Sequence, residues 1–293
     1  MESEQIAQMR RFNRLVTQRA GALEEQFLGR DRPLGQSRVL YEIGADGADL
    51  RELRVRLGLD SGYLSRIVQA LAASGLVTVS PGEGDERLRR ARMTAAGLAE
   101  LKEMNRRSDA AVEAILTRLP GSARDRLVAA MGEVHRLLGA AGAVTERVDP
   151  ASASARWCVA RYFEELAQRL EGGFEPGRSI AADDAELRPP AGAFLMMSVD
   201  GEPVACGAVK RVGASVGSIK RMWVAESVRG LGFGRRMLAA LEAQSGELGL
   251  TTVRLETNHV LTEAVRLYRS SGYVEVAPFN DDPYADHWFE KHL

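Results

Sequence analysis

The stretch Arg229-Gly-Leu-Gly-Phe-Gly234 decides the fold of the second half of this 293-residue chain. It follows the strand-like run Ser218–Val224, and apolar residues then return at helical spacing, at Met237, Leu238, Leu241 and Leu248. A strand, a glycine-rich turn and a helix start together make an anion site, because free amide N–H groups and the positive end of the helix dipole converge there. The sequence therefore predicts that this loop holds the phosphates of a nucleotide-like cofactor.

Two familiar phosphate loops do not fit this stretch. A P-loop ends in Gly-Lys-Ser/Thr, whereas Gly234 is followed by Arg235 and Arg236. A dinucleotide fingerprint needs G-x-G-x-x-G in a parallel βαβ unit, but the spacing here is G-x-G-x-G. The preceding strands, Phe194–Val199 and Pro203–Arg211, are joined by Asp-Gly, which is typical of an antiparallel hairpin.

A third family fits the loop. The pattern Arg229-x-x-Gly232-x-Gly234 after an apolar strand resembles the pyrophosphate loop of the Gcn5-related N-acetyltransferases (GNAT). The family's later elements follow in order over about residues 143–293, namely a strand at Thr252–Thr257, Asn258 directly after it, a helix at Leu261–Ser271 and a final strand at Pro283–Lys291. The resemblance implies an α+β domain with a mixed, mostly antiparallel sheet.

The same resemblance implies acetyl-CoA as cofactor and assigns its contacts. The thioester and pantetheine would lie against the backbone of Met222, Trp223 and Val224, and Asn258 would contact the pantetheine arm. The pyrophosphate would be held by the amides of Arg229, Gly230, Leu231, Gly232, Phe233 and Gly234.

Tyr268 matches the family position that protonates the departing thiolate. A phenol with a pKa near 10 is protonated at neutral pH, and a thiolate with a pKa of about 8.5 can accept its proton. The alternative is an aromatic side chain that only packs on its helix. The general base stays open among Glu202, Glu226, Glu256, His259 and a water chain. No residues occur at metal-ligand spacing, so no metal is expected.

A winged helix-turn-helix is predicted in the first half. Leu50, Leu53 and Leu57 indicate a helix ending at Gly58, and Asp60 is a plausible N-cap for a second helix. That helix buries Leu64, Ile67, Val68 and Leu71 and leaves Ser61, Tyr63, Ser65, Arg66 and Gln69 on the opposite face. A strand at 75–79, a turn at 81–84 and a return strand at 85–94 complete the wing, and the second helix would enter the major groove.

These residues closely resemble the MarR family of bacterial regulators, through LRELRVRLGLDSGYLSRIVQALAASGLV (residues 50–77) and the wing pattern D-x-R…M-T-x-x-G. The resemblance implies a homodimer that binds a near-palindromic double-stranded DNA operator, with dimer helices at Ile6–Phe27, Leu98–Leu119 and Ala123–Leu138. The residues that we predict to contact DNA are Ser61, Tyr63, Ser65 and Arg66 in the groove and Arg87 and Arg89 on the wing.

Length and composition bound the remaining possibilities. A chain of 293 residues suggests two domains, which we place at 1–141 (DNA binding and dimerisation) and 142–293 (acetyl transfer), with the first part of Gly139–Ala155 as a linker. The two cysteines, Cys158 and Cys206, favour a reducing compartment over a disulfide framework. The start lacks a signal-peptide pattern and no apolar run spans a membrane, so we expect a cytoplasmic protein.

Three hypotheses for the whole protein follow. The first is a dimeric DNA-binding regulator fused to a working N-acetyltransferase. The second is an acetyltransferase whose winged domain only dimerises, and the third is a regulator whose GNAT half only senses acyl-CoA. The wing arginines argue against the second, and Tyr268 with the unbroken loop argues against the third. We therefore predict the first, with a small amine as the acetyl acceptor.

Overall fold

The computed structural model describes residues 3–19, 21, 26–82, 85–180 and 182–293, with the backbone alone for residues 82 and 85–88. The chain divides into two compact units, Met1–Leu127 and Val128–Leu293. The functional boundary that the sequence places at 141–142 stays a prediction.

The first unit is mainly helical and carries a small antiparallel sheet. Its helices are α1 (Ser3–Arg19), α2 (Leu34–Ile43), α3 (Leu50–Leu57), α4 (Ser61–Ala73) and α5 (Ala95–Leu116). Its strands are β1 (Ala48–Asp49), β2 (Val77–Gly82) and β3 (Asp85–Met93), in the order β1-β3-β2. The predicted winged helix-turn-helix is confirmed, although residues 83 and 84 of the predicted turn, and residues 20 and 22–25 of the predicted first helix, lie outside the described residues.

Capping residues determine where the helices of this motif begin and end. The carboxylate of Asp60 accepts a hydrogen bond from the amide of Tyr63 (2.9 Å), which satisfies a free N–H at the start of α4. Gly58 ends α3 with a φ of 61°, a conformation that glycine adopts without a steric penalty. Helix α5 begins at Ala95, directly after the return strand, and the hydroxyl of Thr94 caps the amide of Gly97 (3.0 Å).

The second unit is built on one seven-stranded sheet. Its strands are β4 (Val144–Arg147), β5 (Gly192–Val199), β6 (Glu202–Arg211), β7 (Val216–Val224), β8 (Thr252–Thr257), β9 (Val274–Glu275) and β10 (His287–His292), in the order β4-β5-β6-β7-β8-β10-β9. Three helices pack with it, α7 (Ala153–Arg169), α8 (Phe233–Glu247) and α9 (Thr262–Ser270). Only the β7–β8 pair is parallel among the described strands, so the predicted mixed, mostly antiparallel sheet is confirmed.

Helix α8 supplies much of the core of this unit. Met237, Leu238 and Leu241 are at most 1% exposed and pack in one cluster with residues of the sheet. The helix comes so close to β6 that a Cβ atom at Gly207 would lie 2.7 Å from the Cδ1 of Leu241. This packing fixes the start of α8, and therefore the glycine loop before it.

Two boundaries of the second unit differ from the prediction. Helix α6 (Gly121–Ala141) runs through the first residues of the predicted linker, because Ala140 is buried and the guanidinium of Arg236 donates to the carbonyls of Ala140 (2.8 Å) and Ala143 (3.1 Å). The final strand begins at His287 rather than Pro283, because the carboxylate of Asp282 accepts the amide of Tyr284 (3.0 Å) and holds this segment in a turn. No helix in the described ranges is long and apolar enough to cross a membrane.

Candidate active site and DNA-binding face

Strands β7 and β8 separate at the centre of the sheet. They pair from Val216 to Ser218, opposite Thr252 to Arg254, and no further pairing is formed between their described residues. The register of β7 against β6 also shifts at Arg221 and Met222, where Arg221 has a φ of 53°. A bulge of this kind bends a strand and redirects its side chains. The β8-facing edge of residues 222–224 is therefore left unpaired.

This gap opens into a cavity of about 370 Å³, which we call the loop cavity. It is bounded by the glycine loop on one side and by helices α7 and α9 on the other. Of the residues predicted to hold the cofactor, it is lined by Met222, Trp223, Val224, Arg229, Gly230, Gly232, Phe233, Gly234 and Tyr268. Leu231 and Asn258 do not line it.

Two amides of the glycine loop donate to backbone carbonyls, and the others do not. The amides of Arg229 and Leu231 donate to the carbonyls of Glu226 (3.2 Å) and Val228 (3.3 Å). Gly230 and Gly232 have φ values of 78° and 83°, which turn the chain into α8. In the described part of the chain, no backbone carbonyl accepts from the amides of Gly230, Gly232, Phe233, Gly234 and Arg235. These five N–H groups lie at the positive end of a 15-residue helix, an arrangement that favours a bound anion.

The side chain of Arg229 is tied to helix α7. Its guanidinium donates to the Glu165 carboxylate (2.5 Å) and to the carbonyl of Val224 (3.1 Å). Glu165 also accepts from the indole of Trp223 (3.1 Å) and pairs with Arg169 (3.1 Å). Glu165 thus orders one wall of the loop cavity, a role that sequence reasoning missed because Glu165 lies 64 residues before Arg229.

A second cavity of about 240 Å³ lies beside the first, and we call it the aromatic cavity. Its rings come from Tyr162, Phe163, Phe174, Tyr268 and Tyr284. Its polar lining includes Lys220, Arg221, Glu256, Asn258 and Asp282. The residues common to both cavities are Tyr162, Leu166, Met222, Leu261, Ala264 and Tyr268. Two compartments therefore meet at the predicted catalytic tyrosine.

Tyr268 holds its proton firmly in this position. The side chain is 7% exposed, and its hydroxyl has only a long contact of 4.0 Å with the sulfur of Met222. Burial, and secondarily the charge of Glu256, raises the pKa of Tyr268 above its ordinary value. The phenol is therefore neutral throughout the physiological range and can act as a proton donor.

Of the four residues considered as general base, only Glu256 lines either cavity. Its side chain is 7% exposed, Oε1 pairs with the Lys220 ammonium, and Oε2 is buried without a hydrogen-bond partner among the described groups. Glu202 and Glu226 are exposed. His259 is also exposed, and its ring pairs with Asp286.

The side chain of Asn258 is engaged at both ends. Its Nδ2 donates to the carbonyl of Tyr284 (2.8 Å), and its Oδ1 accepts from the amide of Val260 (3.1 Å). It lines the aromatic cavity, so its predicted contact with a pantetheine arm stays a prediction. No group of three metal-ligating side chains is found within the described ranges.

The predicted DNA-contacting residues of α4 share one exposed face. Ser61, Tyr63, Ser65 and Arg66 are exposed, while Leu64, Ile67, Val68 and Leu71 are buried on the other side. On the wing, Arg89 is exposed, whereas Arg90 donates to the carbonyl of Asp46 (3.1 Å). The backbone of Arg87 lies in β3, but its side chain is outside the described residues.

Fold and site together define an acyltransferase unit in a chain that also carries a winged helix-turn-helix. The model of the acetyltransferase (GNAT) family matches residues 159–273, and the model of the MarR family matches residues 29–88. The chain belongs to the GNAT family, through a region that follows a MarR-family segment. It is therefore an N-acetyltransferase that uses an acyl-CoA cofactor, fused to a regulator-type region that suggests DNA binding and dimerisation.

Two relatives and one solved structure are similar to part of this chain. An IAA acetyltransferase of Azospirillum brasilense is 34% identical over 123 residues, which are 41% of this chain and 80% of the relative. An uncharacterised N-acetyltransferase of Schizosaccharomyces pombe is 32% identical over 97 residues, 32% of this chain and 60% of the relative. A GNAT family acetyltransferase from Elizabethkingia anophelis, solved with acetyl-CoA bound, is 13% identical with a TM-score of 0.37, over 52% of this chain and 98% of that one.

Proposed function

We propose that this protein is bifunctional. Residues 1–141 form a dimeric regulator of a near-palindromic double-stranded DNA operator, and residues 142–293 transfer an acetyl group from acetyl-CoA directly to a small amine. The observation that carries the enzymatic half is that the buried Tyr268 lines both the loop cavity and the aromatic cavity. The free cysteines Cys158 and Cys206 support a reducing compartment, the cytoplasm.

The loop cavity fits acetyl-CoA on two grounds. Five free amides at the start of α8 suit the negative charge of a pyrophosphate, and a Cβ at Gly234 would crowd the loop because it would lie 3.2 Å from Leu267. The unpaired edge of Met222–Val224 suits the amides of a pantetheine arm, as an added strand would. When bound, the cofactor supplies an acetyl group activated as a thioester.

The residues around the shared wall supply the proton transfers. Glu256 accepts a proton from the acceptor nitrogen at its free Oε2, as the N–C bond forms and the C–S bond breaks. Tyr268 gives its hydroxyl proton to the leaving sulfur; the group is protonated beforehand, and its raised pKa makes it a weaker acid than an exposed tyrosine. The acceptor enters from the aromatic cavity, whose volume of about 240 Å³ suits a small amine.

The DNA-binding half is supported by the exposed face of α4. Ser61, Tyr63, Ser65 and Arg66 offer hydroxyl and guanidinium groups on the helix that enters the major groove in this motif. Arg87 and Arg89 on the wing would contact the minor groove or phosphates. Because phosphate contacts release counterions, binding should weaken as salt rises.

Release of free thiol from acetyl-CoA across an amine library tests the enzymatic half. We expect turnover with wild type and a fall of about 10²-fold or more in kcat with Tyr268→Phe, which removes the proton donor and keeps the ring. The affinity for acetyl-CoA should stay unchanged. If acetyl-CoA binds but no acceptor supports turnover, the sensing alternative replaces this proposal.

A gel-shift assay tests the DNA-binding half. We expect wild type to retard an operator fragment, selected from random DNA, and Arg87→Ala to retard it less at equal salt. Arg106→Ala is the control, because Arg106 lies on α5 and is paired with Glu103 (2.8 Å). Undiminished binding by Arg87→Ala would contradict the wing assignment.

A further inference from the structure

The aromatic cavity has a continuous wall of rings. Phe174 stands between Phe163 and Tyr284, with ring centroids 5.4 Å and 4.8 Å away, and Tyr162 packs on Phe163 at 5.6 Å. These side chains come from α7, from the loop after it and from the segment before β10, and each is only half-buried. They therefore present apolar faces to a ligand in the cavity. Because aromatic rings attract one another in tilted arrangements at such distances, an aromatic ring of a ligand would pack favourably against them.

The polar groups of the same cavity are not equally available. The carboxylate of Asp282 is already hydrogen-bonded within the protein. It accepts from the Ser179 hydroxyl (2.7 Å), the Ile180 amide (3.0 Å) and the Tyr284 amide (3.0 Å). Lys220 pairs with Glu256. Of the charged groups in this lining, Glu256 keeps one oxygen, the buried Oε2, without a hydrogen-bond partner, and the guanidinium of Arg221 has one acceptor.

Arg221 is held in an unusual backbone conformation. Its φ of 53° lies in the left-handed region, which is sterically unfavourable for an L-residue that carries a Cβ atom. One guanidinium nitrogen, Nη2, donates to the carbonyl of Ala182 (2.6 Å), and no other acceptor for this guanidinium is found among the described residues. Strain of this kind persists where the surrounding fold imposes it and is concentrated at functional sites.

We propose that the acetyl acceptor is an aromatic α-amino acid. Its ring packs on Phe163, Phe174 and Tyr284, its carboxylate binds Arg221 through charge-assisted hydrogen bonds, and its α-amine faces Glu256 and Tyr268. This inference rests on the proposed acetyltransferase function and names the substrate class of that same site. Polyamines fit less well, because the described lining offers only one carboxylate with a free oxygen, that of Glu256.

A matched set of acceptors tests the proposal. Thiol release from acetyl-CoA is measured with L-phenylalanine, with phenethylamine, which lacks the carboxylate, and with L-alanine, which lacks the ring. We expect kcat/KM for L-phenylalanine to exceed that for either of the others by about 10-fold or more, because each loses one recognised group. Equal rates with phenethylamine would overturn the role of Arg221, and equal rates with L-alanine would overturn the role of the ring wall.

The Arg221→Gln variant tests whether Arg221 recognises the carboxylate of the acceptor or only supports the fold. Arg221→Gln should raise KM for L-phenylalanine about 10- to 100-fold, the loss of a charged hydrogen-bonded pair, while KM for phenethylamine stays within about 2-fold. Arg178→Gln is the control, because Arg178 stacks over the ring of Tyr284 from outside the cavity lining. An equal loss with both acceptors would overturn the proposal, since it would show a structural role for Arg221.

Failure of this inference can be told from failure of the proposed function. If phenethylamine or another amine without a carboxylate is the best acceptor and Tyr268→Phe abolishes its turnover, the acetyltransferase proposal stands and the amino-acid inference is wrong. If no amine of any class supports thiol release, both are wrong. Binding of N-acetyl-L-phenylalanine to the Tyr268→Phe variant, measured by calorimetry, gives a readout that does not depend on activity and should weaken in the Arg221→Gln background.

Discussion

The loop cavity and the aromatic cavity share one wall but are built from different parts of the chain. The loop cavity combines side chains of α7 and α9 with backbone groups, namely the free amides of Gly230, Gly232, Phe233, Gly234 and Arg235 and an unpaired edge of β7. The aromatic cavity is made of side chains brought together from α7, β7, β8 and the segment before β10. The difference suggests that one surface serves a constant cofactor and the other a particular acceptor, because side chains can be exchanged without disturbing the strands and helices.

Removing the free carboxylate from the aromatic cavity should have the largest effect. For Glu256→Gln we expect kcat/KM to fall about 10²- to 10⁴-fold, the range of a general base. The Kd for acetyl-CoA should not change, because Glu256 does not line the loop cavity. Steady-state kinetics and calorimetry on the same preparation measure the two quantities. Exposed Glu226→Gln is the matched control, and an equal loss there would remove Glu256 from this role.

Distorting the loop cavity should have an effect of intermediate size, on the binding of acetyl-CoA rather than on the rate of acetyl transfer. Gly232 has a φ of 83°, where alanine is strained by about 1–2 kcal/mol, so Gly232→Ala should weaken acetyl-CoA binding about 10-fold. The saturating rate of acetyl transfer should change little. Gly246→Ala lies in the same helix, has no positive φ and meets open space, so it should bind acetyl-CoA as wild type does. Equal affinities for the two variants would mean that the loop is not the cofactor's anchor.

The smallest effect is expected at the shared wall, in the pH dependence of catalysis. Because burial raises the pKa of Tyr268, this group stays protonated as pH rises through the ordinary tyrosine value of about 10. The saturating rate should therefore show no alkaline decline up to about pH 10 that belongs to Tyr268. Comparing pH profiles of kcat for wild type and Tyr268→Phe checks this. A wild-type decline near pH 9 that is missing in the variant would show that the pKa of Tyr268 is lowered rather than raised.

The contrast between the cavities also explains what could be predicted from the sequence. The glycine spacing at 229–234 and Tyr268 are local signals, because a turn that requires positive φ and a helix position can be identified within a few residues. The helix-turn-helix was predictable for the same reason, through Asp60 and Gly58. The aromatic cavity was not, because Phe163, Phe174 and Tyr284 are each ordinary apolar residues until the fold brings them together. Likewise, no residue near Ala140 in the sequence indicates that its carbonyl, close to the end of α6, accepts a hydrogen bond from Arg236, 96 residues away.

The division of roles between the two cavities is tested most directly by a crystal structure of the protein with acetyl-CoA bound. We predict pyrophosphate oxygens within hydrogen-bond distance of the amides of Gly230, Gly232, Phe233, Gly234 and Arg235, and the thioester sulfur beside the hydroxyl of Tyr268. The aromatic cavity should stay open. A cofactor whose pyrophosphate lies away from the loop, or whose sulfur lies out of reach of Tyr268, would contradict the assignment of both cavities.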